Sequence, residues 1–210
     1  MEGPEVRLRL RPFRHGDEAD LSDICLRTGA GGADATELYR SSGLLADIFV
    51  LPYVARHPEW AFVIEGGERV LGYVVCAPDT DSFDRWFREE WWPPREDAHR
   101  RVAGDAPHDA VMLRHAAAVG ARPLPFVDEY PAHLHIDLLP EAQGRGRGRD
   151  LIDALVAQLA GHGVPGLQLT AGGGNTGAIA FYRRLGFEQL RRHDGGVTLG
   201  RILSAPATPT

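Results

Sequence analysis

Glycine and arginine alternate in the stretch QGRGRGR, residues 143–149, which lies between an apolar run and a helical pattern. Glycine accepts positive φ angles and lets another molecule approach the backbone closely. A helix that begins just after such a loop presents unpaired N–H groups at the positive end of its dipole, which suits a phosphate or diphosphate. We therefore expect residues 143–149 to bind an anionic group. A surface turn whose arginines only aid solubility is the alternative.

This loop differs from the common phosphate-binding motifs. A dinucleotide-binding loop has the pattern Gly-x-Gly-x-x-Gly after the first strand, whereas Gly144, Gly146 and Gly148 are spaced Gly-x-Gly-x-Gly and occur late in the chain. A P-loop needs a lysine followed by serine or threonine, and this loop has neither. An RNA-binding RGG tail would be longer and would not be framed by a strand and a helix.

A second group of reactive side chains precedes the loop, in the run AHLHIDLL. His133, His135 and Asp137 alternate, so a strand places them on one face. Histidine titrates near neutral pH, which suits a general base. A hydrogen-bonded, half-buried histidine is the structural alternative. The spacing H-x-H-x-D also occurs in zinc sites, but the next residue is Leu138 and no further ligand cluster stands out, so we expect no metal.

The elements that position these residues alternate between strands and helices, as judged from apolar periodicity and turn residues. The predicted strands are 6–13, 132–139 and 164–171, with hairpins over 59–79 and 186–203. The predicted helices are 16–29, 41–57 with an interruption at Pro52, one before Pro93, 149–163 and 175–187. We expect 105–131 to be irregular because it contains several prolines. The order predicts a mixed α/β fold with a right-handed parallel crossover at the glycine loop.

Composition limits the class of protein. The chain has 210 residues, 43% of them apolar, and a formal net charge of −6, so we expect no nucleic acid or anionic membrane as partner. Cys25 and Cys76 form no disulfide framework, which favours a cytoplasmic location. The start has no signal peptide pattern, and no apolar run approaches the about 18 residues of a membrane helix. We predict one domain over 1–204, with 79–131 as an insertion beside the core and 205–210 as a flexible tail.

The stretch QGRGRG resembles motif A of the GCN5-related N-acetyltransferase (GNAT) family, Gln/Arg-x-x-Gly-x-Gly/Ala, with Gln143, Gly146 and Gly148 at its positions. Downstream, NTGAIAFYRRLGF resembles motif B of that family. The matching residues are Asn175, Ala178, Phe181, Tyr182, Gly186 and Phe187. The resemblance covers roughly 6–203 and is weak across 79–131. The run YPAHLHIDLLPEAQGRGRGRDLI also resembles, more narrowly, the acetyltransferase-like domains related to the C-terminal part of O-GlcNAc hydrolases.

The resemblance implies a mixed, mostly antiparallel central sheet flanked by helices, with strands that splay apart at the cofactor site. It also implies acetyl-CoA as cosubstrate, its diphosphate on the N–H groups of residues 143–149. The residues expected to bind it are Leu138, Leu139, Gln143, Gly144, Arg145, Gly146, Arg147, Gly148, Arg149, Asn175, Ala178, Phe181 and Tyr182. The implied activity is direct transfer of acetyl to a primary amine of a small molecule or a lysine side chain. Homodimers are common in the family, so a second copy is a candidate partner.

Two proton transfers need side chains. Tyr182 matches the family's usual acid, which protonates the leaving thiolate, and a backbone N–H near Leu138 would stabilise the oxyanion. The candidates for the base are His133, His135 and Asp137. The family's usual base position would fall on the other face of this strand, near Ala132 and Leu134.

The acceptor side is less defined by the sequence. Asp128 and Glu129 are further candidates to attract or deprotonate an amine. Aromatic walls are expected from Trp86, Trp91, Trp92 and Tyr130, unless these residues only pack the insertion onto the core. The alternative function is an acetyl-CoA-binding module that keeps the fold but has weak or no turnover.

Overall fold

The computed structural model describes residues 7–121 and 125–203, and they contain a seven-stranded sheet in the order β1-β2-β3-β4-β5-β7-β6. The strands are β1 Leu8–Pro12, β2 Phe62–Gly66, β3 Arg69–Ala77, β4 Ala132–Leu138, β5 Gly166–Gly172, β6 Glu188–His193 and β7 Gly196–Ile202. Only the β4–β5 pair is parallel, and every other neighbouring pair is antiparallel. The predicted mixed, mostly antiparallel sheet is therefore confirmed.

Eight α-helices flank this sheet in the described part of the chain. They are α1 Glu18–Thr28, α2 Leu44–Phe49, α3 Leu51–Arg56, α4 Thr80–Trp86, α5 Pro93–Ala103, α6 Pro107–Ala118, α7 Arg147–Gly161 and α8 Thr176–Arg184. The expected interruption near Pro52 is the junction of α2 and α3 at Val50. Among the described residues, no helix is both long and apolar enough to cross a membrane. The predicted tail, 205–210, lies outside the described residues.

The helix α6 corrects the expectation that 105–131 is irregular. Its first residue is Pro107, and a proline at the first helical position loses no intrahelical hydrogen bond and has a suitable φ. The helix buries Leu113 and Ala116 against the core. Proline therefore marks the start of a helix here, and the same holds for Pro93 at the start of α5.

The two faces of the sheet carry different hydrophobic clusters. Along β3, Tyr73, Val75 and Ala77 pack into the cluster with α1–α6, while Val74 and Cys76 pack into the cluster with α7 and α8. The apolar face of α7 is buried in the second cluster, where Leu151, Ile152, Leu155 and Leu159 are fully inaccessible. The odd-numbered residues of β4, which carry the candidate base side chains, face the side of α1–α6.

Strands β4 and β5 part from each other after only two paired positions. Their register joins Ala132 to Leu167 and His133 to Gln168, and it ends there. Each strand nevertheless keeps its outer neighbour, because β4 stays paired with β3 as far as Leu138 and β5 stays paired with β7 throughout. The second half of β4 therefore has a free edge facing a gap in the sheet, as the splayed strands predicted from the family resemblance require.

Buried polar bonds fix the segment 79–131 to the rest of the fold. The carboxylate of Asp109 is fully buried and accepts the N–H groups of Arg40 at 3.1 Å and Ser41 at 2.9 Å. His99 on α5 hydrogen-bonds both Ser41 Oγ and Asp47 Oδ2, each at 2.8 Å. These contacts hold α5 and α6 against α2 independently of the hydrophobic cluster.

Replacing Asp109 tests how much this attachment contributes to stability. Asp109→Ala leaves two backbone donors without their acceptor, so the free energy of unfolding should fall by about 3 kcal/mol in urea denaturation. The matched control is Asp105→Ala, because the Asp105 side chain is 95% exposed and the expected change is below about 0.5 kcal/mol. Equal unfolding free energies for the two variants would contradict this role of Asp109.

Candidate active site

A cavity of about 830 Å³ opens at the gap between β4 and β5. Its walls are the loop after α1, the end of β4, the glycine loop before α7, and α8. All predicted cofactor-binding residues except Leu139 and Arg145 line it. Leu139 is fully buried, its N–H donates to Leu71 O and its carbonyl accepts from Ala142 N, so it offers no free backbone group to a ligand.

The glycines of the loop serve two different purposes. Gly144 and Gly146 have φ angles of +71° and +77°, which other residues rarely adopt, and the space beside both is open. Gly146 is the N-cap of α7 and supplies no capping side chain, so the first N–H groups of this 15-residue helix face outward unpaired. At Gly148 the absence of a side chain instead allows the ring of Phe181 to pack closely, since a Cβ there would lie 3.1 Å from Phe181 Cζ.

Two side chains of the loop prepare it for an anion. Gln143 Nε2 donates to Leu138 O at 2.7 Å, which fastens the start of the loop to the end of β4. Arg147 pairs with Asp150 through its NH1 at 2.7 Å, while its Nε is buried and has no hydrogen-bond partner among the described residues. A buried, unpaired guanidinium N–H beside uncapped helix amides is a favourable environment for a diphosphate.

The side chain of Asn175 joins two walls of the cavity. Its Oδ1 accepts the N–H of Ala178 at 3.0 Å, so Asn175 is the N-cap of α8. Its Nδ2 donates to Gly31 O at 3.4 Å, in the loop after α1. Gly31 and Gly32 were missed by the sequence reasoning, although the run GAGGA directly after a helix was a signal of a glycine loop near the site.

Tyr182 opens into this cavity from α8. Its ring packs against Phe181 and Phe187, with centroids 5.3 and 5.6 Å away, and its hydroxyl makes no hydrogen bond within residues 7–121 and 125–203. Burial, and next the charge of Asp137, raise the pKa of Tyr182 above its ordinary value. The hydroxyl therefore stays protonated at neutral pH and is free to donate.

Asp137 lines the same cavity from β4, whereas Tyr182 lines it from α8. Its Oδ2 accepts a hydrogen bond from Tyr73 Oη at 2.6 Å. His135 lies beside it, with Nδ1 3.7 Å from the same oxygen, and its ring packs on Phe49 with centroids 5.0 Å apart. The structure thus brings Asp137 and Tyr182 into one cavity and leaves His135 next to it.

His133 is placed differently from the other two candidates. Thr80 Oγ1 donates to Pro131 O at 2.7 Å, so it accepts from His133 Nδ1 at 2.8 Å, and Tyr53 Oη donates to Nε2 at 2.8 Å. Both ring nitrogens are therefore occupied in the neutral form. Burial lowers the pKa of His133 to about 3, with smaller effects from neighbouring histidines. These contacts correct the expectation of His133 as a base and give it a structural role.

The remaining acceptor-side candidates do not gather at the cavity. Glu129 lies at Gly166, the end of β5 that is opposite to the gap. The predicted aromatic walls serve packing: Trp92 stacks on His99, and Trp91 donates to Asp47 O. None of the residues Trp86, Trp91, Trp92 and Tyr130 lines the cavity. In the described part of the chain, no three His, Cys, Asp or Glu side chains are grouped to hold a metal ion.

A family comparison decides the broader identity. The model of the acetyltransferase (GNAT) family matches residues 33–187. The chain belongs to this family. The predicted family is thereby confirmed. The expected class of enzyme, an acyltransferase, and the expected cosubstrate, acetyl-CoA, are confirmed with it.

Individual relatives agree with the GNAT assignment. Protein O-GlcNAcase of Rattus norvegicus and of Mus musculus are each 21% identical over 201 residues, which make up 92% of this chain and 22% of theirs. This chain therefore spans 22% of the length of those curated relatives. The crystal structure of SsHAT is 36% identical, with a TM-score of 0.84 and coverage of 94% of this chain and 98% of that one. PaiA N-acetyltransferase from Thermoplasma acidophilum, solved with coenzyme A, shares the fold at 12% identity, with a TM-score of 0.54 and coverage of 94% and 99%.

The buried histidine makes the stability of this GNAT chain depend on pH. The pKa of His133 in the folded state is depressed below its ordinary value of 6.5. The neutral imidazole therefore contributes fully to the free energy of unfolding above pH 6.5, and this contribution is lost as the pH falls toward about 3. Between about pH 6.5 and pH 5.5 the wild type should lose about 1 kcal/mol more unfolding free energy than His133→Gln, which cannot take up the proton. Urea denaturation at the two pH values measures the difference, and parallel losses in both proteins would contradict the buried neutral imidazole.

Proposed function

We propose that the protein is an acetyl-CoA-dependent N-acetyltransferase that transfers acetyl directly to a primary amine, on a small molecule or a lysine side chain. One observation carries the proposal: the free hydroxyl of Tyr182 and the carboxylate of Asp137 line one cavity together with the uncapped start of α7. An anion-binding loop, an acid and an acidic group that attracts amines are the parts that this reaction needs.

The loop before α7 fits the diphosphate of the coenzyme. The N–H groups of the first turn of α7 and the unpaired Nε of Arg147 supply the donors. The N–H of Leu139 donates to Leu71 O on β3. The N–H groups of successive residues in a strand point to opposite edges, so the N–H of Leu138 points away from β3, toward the gap. Leu138 is thus the candidate to pair with the pantetheine arm or to stabilise the oxyanion. When bound, acetyl-CoA supplies an acetyl group activated as a thioester.

The proton transfers are assigned to Asp137 and Tyr182. A primary amine has a pKa of about 10 and arrives as a cation, which the partly buried Asp137 carboxylate attracts. Asp137 then accepts one proton of the ammonium, which frees the electron pair of the nitrogen for attack, and Tyr182 donates its proton to the leaving sulfur. His135 is 37% exposed and adjacent to Asp137, so it is the candidate to pass the proton on to solvent. We assign no proton transfer to His133.

The segment 79–131 reaches the acceptor side through a stack of rings. His115 of α6 packs on Phe49, and Phe49 packs on His135, with centroids 5.4 and 5.0 Å apart. Burial, and next the neighbouring His135, lower the pKa of His115, so this end of the stack stays uncharged at neutral pH and does not repel a cationic amine. The acceptor would therefore approach Asp137 along His135.

The hydroxyl of Tyr182 provides the test of the proposed activity. Tyr182→Phe removes the acid but leaves the ring, so turnover should fall tenfold or more while the affinity for acetyl-CoA stays nearly unchanged. Release of free CoA and mass spectrometry of the acetylated acceptor, over a panel of small amines and lysine peptides, measure turnover, and calorimetry measures affinity. Tyr130→Phe is the matched control, because Tyr130 lies outside the cavity.

Each outcome has a defined meaning. Unaltered turnover in Tyr182→Phe would remove this residue from the mechanism. Binding of acetyl-CoA by the wild type without acetylation of any acceptor would support the alternative, a binding module with little or no turnover. That alternative draws on one observation, that His133 is fully occupied by structural hydrogen bonds.

A further inference from the structure

A phenol lies directly behind the carboxylate of Asp137. Tyr73 on β3 is the cross-strand neighbour of Asp137 on β4, and its side chain is fully buried in the cluster with α1–α6. Its hydroxyl donates to Asp137 Oδ2 at 2.6 Å. Because close packing fixes the ring, the hydroxyl cannot follow a rotating carboxylate, and the hydrogen bond therefore holds the carboxylate in one orientation.

The two oxygens of Asp137 have different surroundings. Oδ2 accepts from Tyr73 and is also the oxygen nearest to His135 Nδ1, at 3.7 Å. Oδ1 makes no hydrogen bond to any residue in the ranges 7–121 and 125–203. Since Asp137 lines the cavity, Oδ1 is the oxygen that remains for a ligand.

The groups that face this carboxylate are mainly uncharged. Burial, and next Asp137 itself, raise the pKa values of the Tyr73 phenol and of the Cys25 thiol on α1, so both are neutral. Tyr182 on α8 is also protonated, and His135 on β4 completes the surroundings. Elsewhere the cavity carries Arg147, Arg149 and Arg184. A neutral donor stabilises the ionised carboxylate without cancelling its charge, so the charge remains available to a cationic amine.

We propose that Tyr73 is a positioning residue for the acetyl transfer, which orients Asp137 so that Oδ1 meets the acceptor amine. This inference rests on the proposed function. In the step, the ammonium gives one proton to Oδ1, the neutral nitrogen forms the N–C bond as the C–S bond breaks, and the new amide nitrogen loses its second proton to solvent. The sulfur takes the proton of Tyr182, and solvent then removes the proton from Asp137 and returns one to Tyr182. Tyr73 keeps its own proton throughout.

The variant Tyr73→Phe keeps the ring and removes the hydroxyl, and with it the hydrogen bond to Asp137 and the interaction with the buried Cys25 thiol. Without this donor the carboxylate is no longer held in one orientation, so kcat near neutral pH should fall about tenfold. The affinity for acetyl-CoA should not change.

The matched control is Tyr53→Phe. Tyr53 is also a buried phenol on the α1–α6 side of the sheet, but it donates to His133 and does not contact Asp137. Tyr53→Phe should lose stability comparably and leave kcat nearly unchanged. In the Asp137→Asn background, Tyr73→Phe should cause no further loss of kcat, because the group that it positions is already absent.

A readout that does not need turnover separates this inference from the proposed function. The carboxyl ¹³C resonance of Asp137, assigned by its loss in Asp137→Asn, should change its chemical shift in Tyr73→Phe, because Oδ2 loses its hydrogen bond, and should stay in place in Tyr53→Phe. An unchanged resonance in Tyr73→Phe would overturn the positioning role, whatever the activity. A changed resonance in a protein that acetylates no amine would support the positioning role and refute the proposed transferase.

Discussion

The parting of β4 and β5 after His133 is the constraint on which the rest of the site depends. Both strands stay extended because each keeps an antiparallel partner on its outer side, so the gap between them cannot close by local adjustment. Parting leaves backbone donors and acceptors of β4 without a strand partner, and such groups need a partner from water or a ligand. The same parting exposes Asp137 and the start of α7 to one cavity.

Charge is divided within that cavity in a way that suits two substrates. The glycine loop and Arg147 offer hydrogen-bond donors, although the chain as a whole carries a net charge of −6, so the attraction for an anion is local. Asp137, held by a neutral phenol, offers a negative charge in the same cavity. In the proposed reaction, an anionic coenzyme and a cationic amine are drawn to different parts of one cleft.

The parts of the site that depend on local backbone conformation were predictable from the sequence. The positive φ angles of Gly144 and Gly146 and the N-cap at Asn175 follow from residue type and spacing. The splay of β4 from β5 came from the family resemblance alone, because no periodicity encodes where a strand loses its neighbour. Tyr73 and Gly31 were missed, since only tertiary packing brings them to Asp137 and Asn175. The helix α6 was missed because a proline was taken to interrupt structure rather than to begin a helix.

Hydrogen–deuterium exchange with and without saturating CoA tests the central claim most directly. With CoA bound, amide exchange should be slower at 136–138, at 144–149 and at the start of α8, with no change in β1. Gly146→Ala, which places a Cβ at a φ of +77°, should weaken this protection, whereas Gly161→Ala at the end of α7 should not. Unchanged exchange at 136–138 and 144–149, or protection confined to another surface, would contradict the claim that the parted strands hold the coenzyme.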